Sequence, residues 1–271
     1  MKRLPYLVLL AVCLLLAACG SRKGNEKEAI DLSKKLPGDQ MIYGLACDGC
    51  TDSVLVFLPN DGGDPVTYNV VQAMRKHQVF GHPEVGDWVG IMLNPKDSTE
   101  ATFVVDLDQL KGTWTYQVLP TIRATATQKE HEIEANLTDS MRALLFVPRE
   151  YGFTLKRHRA ASSVGNVYKG NSLTSADLVE YPPVPHYTGW VTWNGKIILT
   201  RDTADMKTRQ RLPEHKIQHD TLEFVYMKDD SLVLRSAGKV ISFHRQENAR
   251  DANKKAQAAA AKQAAADTIK K

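Results

Sequence analysis

Residues 110–118 read "LKGTWTYQV", and they open a stretch of chain unlike the one before it. Gly112-Thr113-Trp114 heads a run in which threonine alternates with aromatic residues, the pattern of a strand with one buried face. Downstream, "YGFTLKRHRAASSV" (151–164) reads as two further strands. "TGWVTWNGKIILT" (188–200) reads as a hairpin whose Asn194-Gly195 is the dipeptide favoured by type I′ turns. "DTLEFVYM" (220–227), "DSLVLRS" (230–236) and "KVISFHR" (239–245) complete a ladder of short strands, joined by Asp229-Asp230 and Ala237-Gly238. Two stretches interrupt it, residues 124–148 and 165–187.

Upstream, strand signals start at Met41. "MIYGLA", "SVLVFLP", "PVTYNV", "DWVGIML" and "ATFVVDL" are short, β-branched and aromatic, and punctuated by Gly, Asp, Asn and Pro. Between the third and fourth, "VQAMRKHQVFGHPEVGD" predicts one helical turn followed by a loop. Five short strands with one small helix suit a Greek-key barrel of the oligosaccharide/oligonucleotide-binding (OB) type. That fold carries no implication of nucleic-acid binding.

The chain ends frame these segments. Lys2 and Arg3, the apolar run Leu7–Leu16 and then "LAAC" at 16–19 form the three parts of a secretory signal peptide, too short to span a bilayer. Residues 1–18 are therefore expected to be removed, and 19–39 to form a polar tether. The body divides into an OB-like domain at 40–109 and a second β-barrel at 110–246. Residues 247–271 are an Ala/Lys/Gln tail with high helix propensity and no apolar face, expected to be a solvated helix or disordered.

Composition limits the classes of function. Of 271 residues, 43% are hydrophobic, enough for a folded body of one large or two small domains. The formal charge of +4 resides in the ends, because residues 19–249 carry 27 basic against 29 acidic residues. No basic footprint for nucleic acid follows from that balance. A catalytic constellation is equally absent: "HEIEA" at His131 lacks the second histidine of a zinc protease, and no nucleophile elbow or phosphate loop occurs. The chain reads as a non-enzyme.

The Gly-x-Trp triplet and the ladder after it resemble the lipocalin signature. The closest likeness is to lipocalin-like domains of Gram-negative envelope lipoproteins, which often follow a small β-domain. The resemblance implies an all-β protein of two small antiparallel barrels in tandem, OB-like and then lipocalin-like. It also implies that Trp114 closes a barrel floor beneath Arg245 from the last strand, with Gly112 completing the signature. A barrel of this size holds one small ligand or fills itself with side chains. The two interruptions are expected at the barrel mouth or across it.

"LAAC" followed by Gly20 and Ser21 resembles a bacterial lipobox, which implies acylation of Cys19. The residue after the cysteine favours the outer membrane under the sorting rule of such lipoproteins. Acyl chains such as palmitate contribute about 0.8 kcal/mol per buried methylene, so two or more anchor stably. Partners are then the membrane, through that lipid, and a small apolar ligand or an envelope protein.

Cys47 and Cys50 are the pair left in the mature chain. "CDGC" predicts a two-residue turn at Asp48-Gly49 with the cysteines facing each other, within reach of a disulfide in an oxidising compartment. The spacing is also half of a zinc or copper site that His77 or His82 could complete. Over some fifteen residues it resembles the NlpE type of copper-resistance and envelope-stress lipoproteins. That likeness implies an alternative function, sensing of metal or redox state through Cys47/Cys50. No other cofactor is expected. Asp139-Ser140-Met141, in the first long interruption, resembles the O-glycosylation triplet of some Gram-negative anaerobes, with Ser140 as acceptor.

Overall fold

The computed structural model describes residues 36–123, 137–165, 179–201 and 218–246. Signal peptide, Cys19, most of the tether and the C-terminal tail lie outside the described residues.

The first sheet contains β1 (Ile42–Ala46), β2 (Val54–Pro59), β3 (Val66–Asn69), β4 (Val79–Phe80), β5 (Trp88–Asn94) and β6 (Asp97–Asp106). Its order is β3-β2-β1-β5-β6-β4, and β3 closes on β6 through the parallel pair Asn69/Glu100. Five strands thus form a closed barrel, with α1 (Val71–Arg75) between β3 and β4. Three antiparallel meander strands, a helix and a hairpin returning to β1 give the OB topology. Alternation fills the interior: Leu55, Phe57, Tyr68, Val89, Ile91 and Val104 are buried together. The stretch between α1 and β5 differs from the loop expected there, because Val79 and Phe80 add a short parallel strand to β6.

The second sheet is an up-and-down meander. Its strands are β7 (Gly112–Val118), β9 (Arg149–Leu155), β10 (Ala161–Val164), β12 (Tyr187–Trp193), β13 (Lys196–Arg201), β14 (Gln218–Lys228), β15 (Ser231–Ser236) and β16 (Lys239–Gln246). Within that order, neighbouring strands pair antiparallel, and β16 returns to β7. The seam between β10 and β12 is closed by Ala160/Gly189, by Trp190 N donating to Arg159 O at 2.8 Å, and by Tyr187 N donating to Ser163 Oγ at 2.8 Å. The eight strands thus make a nearly closed barrel, and the all-β two-barrel expectation is borne out.

Register separates the two ends of this barrel. The short turns at Asn194-Gly195 and Asp229-Asp230 lie at the end where β7 begins and β16 finishes, which is the floor. Asn194 and Gly195 both have positive φ, as a type I′ turn requires. A single helical turn, α2 (Leu107–Leu110), leads into β7 at this pole. The long connections leave from the other end, the mouth, where β8 (Thr121–Ile122) pairs with β11 (Val179–Glu180). A further helix, α3 (Asp139–Leu145), is capped by Thr138 Oγ1, which accepts from Met141 N at 3.3 Å. Ser140 is accordingly in the first turn of a helix and exposed, a correction to its expected place in a loop.

The OB-like barrel packs on the floor. Phe80 and Phe103 meet Phe224 of β14 with ring centroids 5.0 and 5.9 Å away, and Gly81 N donates to Met227 O at 3.0 Å. The segment before β1 clasps the Asn194-Gly195 turn. Asp39 Oδ1 accepts from Asn194 N at 3.0 Å, Gln40 N donates to Asn194 Oδ1 at 2.7 Å, and Tyr43 OH donates to Asp39 Oδ2 at 2.7 Å. Burial pushes the Tyr43 phenol well above its usual pKa, so it stays a donor across the neutral range.

Phe80 is 1% exposed and shared by both barrels. Phe80→Ala should cost about 3–5 kcal/mol. Because the ring belongs to the junction, denaturant unfolding followed separately by tryptophan fluorescence and far-UV circular dichroism should lose its single coincident transition in this variant.

Candidate functional site

The floor is organised around α2, which runs from the last strand of the first barrel to the first strand of the second. Asp106 caps its start: Oδ1 accepts from Asp108 N and Gln109 N, each at 2.9 Å. At its end the free carbonyls are taken by the second barrel. Trp114 Nε1 donates to Leu110 O at 2.8 Å, Arg245 Nη1 donates to Lys111 O at 2.8 Å, and Arg245 Nη2 donates to Gln109 O.

The same guanidinium lies 4.3 Å above the centroid of the Trp114 ring, which is completely buried. Such a cation over an indole is worth about 0.5–2 kcal/mol. Gly112 makes room for it. Its φ is +132°, and a Cβ placed there would stand 2.5 Å from Arg245 Nη1. Gly112, Trp114 and Arg245 are therefore one contact, in which each residue type is required by the other two.

Buried apolar side chains line the interior of this barrel. Leu155, Ile197, Leu199, Leu232 and Leu234 are at most 1% exposed, and Trp190 spans towards Lys156, donating to its carbonyl at 2.9 Å. Aromatic residues pack among them. Tyr116, Phe243, Phe153 and Tyr187 form a chain of centroid distances 5.2, 5.1 and 6.2 Å across β7, β16, β9 and β12. Tyr116 and Tyr187 are only half-buried. Tyr187 OH donates to Asp220 Oδ2 at 3.2 Å, and Asp220 Oδ1 pairs with Arg201 Nη2 at 3.0 Å. Burial raises both phenol pKa values, so neither ionises near neutrality.

The mouth carries a cap built from the long connections. Tyr181 OH donates to Val147 O at 2.5 Å, Tyr151 OH donates to Pro182 O at 2.9 Å, and the Arg149 guanidinium lies 3.4 Å from the Tyr181 ring centroid. Leu145 of α3 and Val179 of β11 are buried. Arg123 and Glu180 pair at 3.2 Å across the β8–β11 ribbon.

Cys47 and Cys50 lie elsewhere, on the loop between β1 and β2. The two-residue turn expected at Asp48-Gly49 is not what joins these strands. Register places Cys47 N on Val56 O at 2.8 Å, so Cys47 faces Val56 rather than Cys50. Thr51 and Val54 exchange both backbone bonds, which puts the tight hairpin turn at Asp52-Ser53. Asp48-Gly49 forms a separate bend, with Gly49 at φ +94°. Both cysteines are half-buried thiols, and Cys50 Sγ donates to Cys47 O at 3.1 Å. Among the described residues no three His, Cys, Asp or Glu side chains converge, so neither His77 nor His82 completes a three-ligand set with the pair.

Two features of the site carry little signal in the sequence. Asp106 and Gln109 have the Asp-x-x-Gln spacing of a helix start, but the pattern is hidden by its position at the end of a strand. Tyr187, Arg201 and Asp220 stand on three strands, and only the register of β12, β13 and β14 brings them together.

No protein-family model matches the chain, and no curated protein matches it. Among solved structures, a lipocalin-like protein from Bacteroides thetaiotaomicron is similar at 18% identity, with a TM-score of 0.27. The match covers 50% of this chain and 95% of that one. Among the described residues no helix is long and apolar enough to cross a membrane.

Trp114→Ala empties a fully enclosed site and should cost about 3–5 kcal/mol in chemical denaturation. Arg245→Ala should cost less, about 1–2 kcal/mol, and the double variant should fall short of the sum because the two groups touch. Additive losses in that cycle would mean that the stacked contact is not what closes the floor.

Proposed function

We propose that this chain is a non-enzymatic lipoprotein, held in the outer membrane through acylated Cys19, that binds a small apolar molecule within its second barrel. The observation that supports it is the chain of aromatic rings Tyr116–Phe243–Phe153–Tyr187 inside the second barrel, with Tyr116 and Tyr187 only half-buried. The floor is covered by the OB-like barrel. A guest therefore enters from the mouth, is small, and stacks on aromatic faces with the phenol hydroxyls at its edge. The floor signature itself contributes nothing to recognition.

Native mass spectrometry of the protein purified from its own envelope tests this reading, with the acyl group, any guest, any metal and any glycan on Ser140 read together. A bound species of a few hundred daltons, lost in Tyr116→Ala, is expected. An empty barrel that also fails to take up a lipophilic fluorophore overturns the carrier reading and leaves recognition of an envelope protein in its place. Cys19→Ala should release the protein from membranes; sedimentation with membranes in high salt would sink the anchor.

The two half-buried thiols on an exposed loop support a second reading, a sensor of redox state or soft metal. It expects Cys47 and Cys50 to form one disulfide reversibly under a thiol–disulfide buffer, or to take up one Cu(I) or Zn(II). Inert thiols with no metal uptake in titration would remove it.

A further inference from the structure

The junction between the barrels contains a carboxyl group that the floor contact does not use fully. Asp106 is completely buried. Its Oδ1 holds the start of α2, while Oδ2 is enclosed with no hydrogen-bond partner. Gly81, which ties the first barrel to Met227, packs directly on it: a Cβ at Gly81 would lie 2.7 Å from the Asp106 Cβ. An ionised oxygen enclosed in this way lacks the solvation it would have in water, and the cost is several kcal/mol unless a counter-charge meets it.

The neighbouring charges do not supply that counter-charge. Asp87, from the turn before β5, and Asp108, on α2, both act on Asp106 as like charges. Asp108 is itself committed to Lys111 and accepts from Trp88 N at 2.7 Å. Arg245, on β16, is a cation whose field reaches Asp106, but its donors go to Lys111 O and Gln109 O and its Nε to Asp230 at 3.5 Å. His82 follows Gly81, and Gln109 binds its backbone through both side-chain atoms, at 3.0 and 2.8 Å.

We propose that Asp106 is a proton-operated latch at the barrel junction: neutral, it lets Gly81 and Met227 close firmly over its enclosed oxygen, and ionised, it loosens that contact. The direction follows from burial, opposed in part by the two amide hydrogen bonds, which moves this carboxyl from its ordinary value of 3.8 up to about 7. A folded-state value above the unfolded one means that the folded protein keeps a proton the unfolded chain has released. Stability therefore falls as pH rises between those two values, by at most tenfold per pH unit in the unfolding constant, and is flat beyond them. Acid strengthens the junction; neutral to alkaline pH relaxes it.

Asp106→Asn keeps a capping oxygen and removes the titration. The ratio of wild-type to variant unfolding constants, measured by denaturant melts of the full chain, should rise by about tenfold or more between pH 5 and pH 7.5. Hydrogen exchange, corrected for the intrinsic pH effect, should show residues 79–83 losing protection over that range in the wild type only. A ratio constant within about twofold overturns the latch, as does loss of the pH dependence in His82→Gln, which would assign it to the imidazole. Should Asp106→Asn not fold, the carboxyl carbon of wild-type Asp106 decides by NMR titration. A midpoint about two units or more above the ordinary value supports the latch, and one near that value overturns it.

Discussion

The packing of the Arg245 guanidinium between Trp114 and the end of α2 is the contact on which both barrels depend. It satisfies the carbonyls that a four-residue helix leaves open, shields an indole from water and fixes where β16 meets β7. Because α2 is also the covalent crossover between the sheets, the same turn sets the angle at which the first barrel leaves the second. Gly112 is the steric condition for all of this, since any side chain there would occupy the place of the guanidinium.

Placing the OB-like barrel over the floor has a functional consequence. The aromatic junction of Phe80, Phe103 and Phe224 and the clasp of Asp39 on Asn194 seal the end already closed by Trp114. The polar side chains of Asp39 and Gln109 find partners within the junction there, Asp39 in Asn194 N and Tyr43 OH and Gln109 in the His82 backbone. The junction is thus structural in character, and the mouth is the end left for the proposed guest. There the half-buried phenols and the Arg201–Asp220 pair stand within the barrel.

How far the sequence could carry this depended on whether the determinant was local. Alternation along β7, β13 and β14 and the positive-φ dipeptides Asn194-Gly195 and Ala237-Gly238 are local, so strands and short turns are legible in the residues themselves. Register is not local. Asp48-Gly49 has good turn chemistry, yet pairing Ala46 with Phe57 sets Cys47 beside Val56 and lets Asp52-Ser53 make the tight turn instead. Likewise the chain of aromatic rings draws one residue from each of four strands, and no spacing in the sequence announces it. The cap was legible only as two long interruptions, because Tyr181 and Tyr151 find their acceptors in backbone 34 and 31 residues away.

The same distinction explains why the two poles of the second barrel differ. At the floor, two-residue hairpins keep adjacent strands in fixed register, which suits a close-packed seal and tolerates little variation. At the mouth, the connections run from 119 to 148 and from 165 to 186, long enough to carry a ribbon, a helix and their own buried residues Leu145 and Val179. Loop-closure entropy grows only slowly with length, so such insertions cost little once the floor has fixed the strands. A close-packed seal at one pole leaves the longer connections to the other, and the proposed recognition belongs to that elaborated pole.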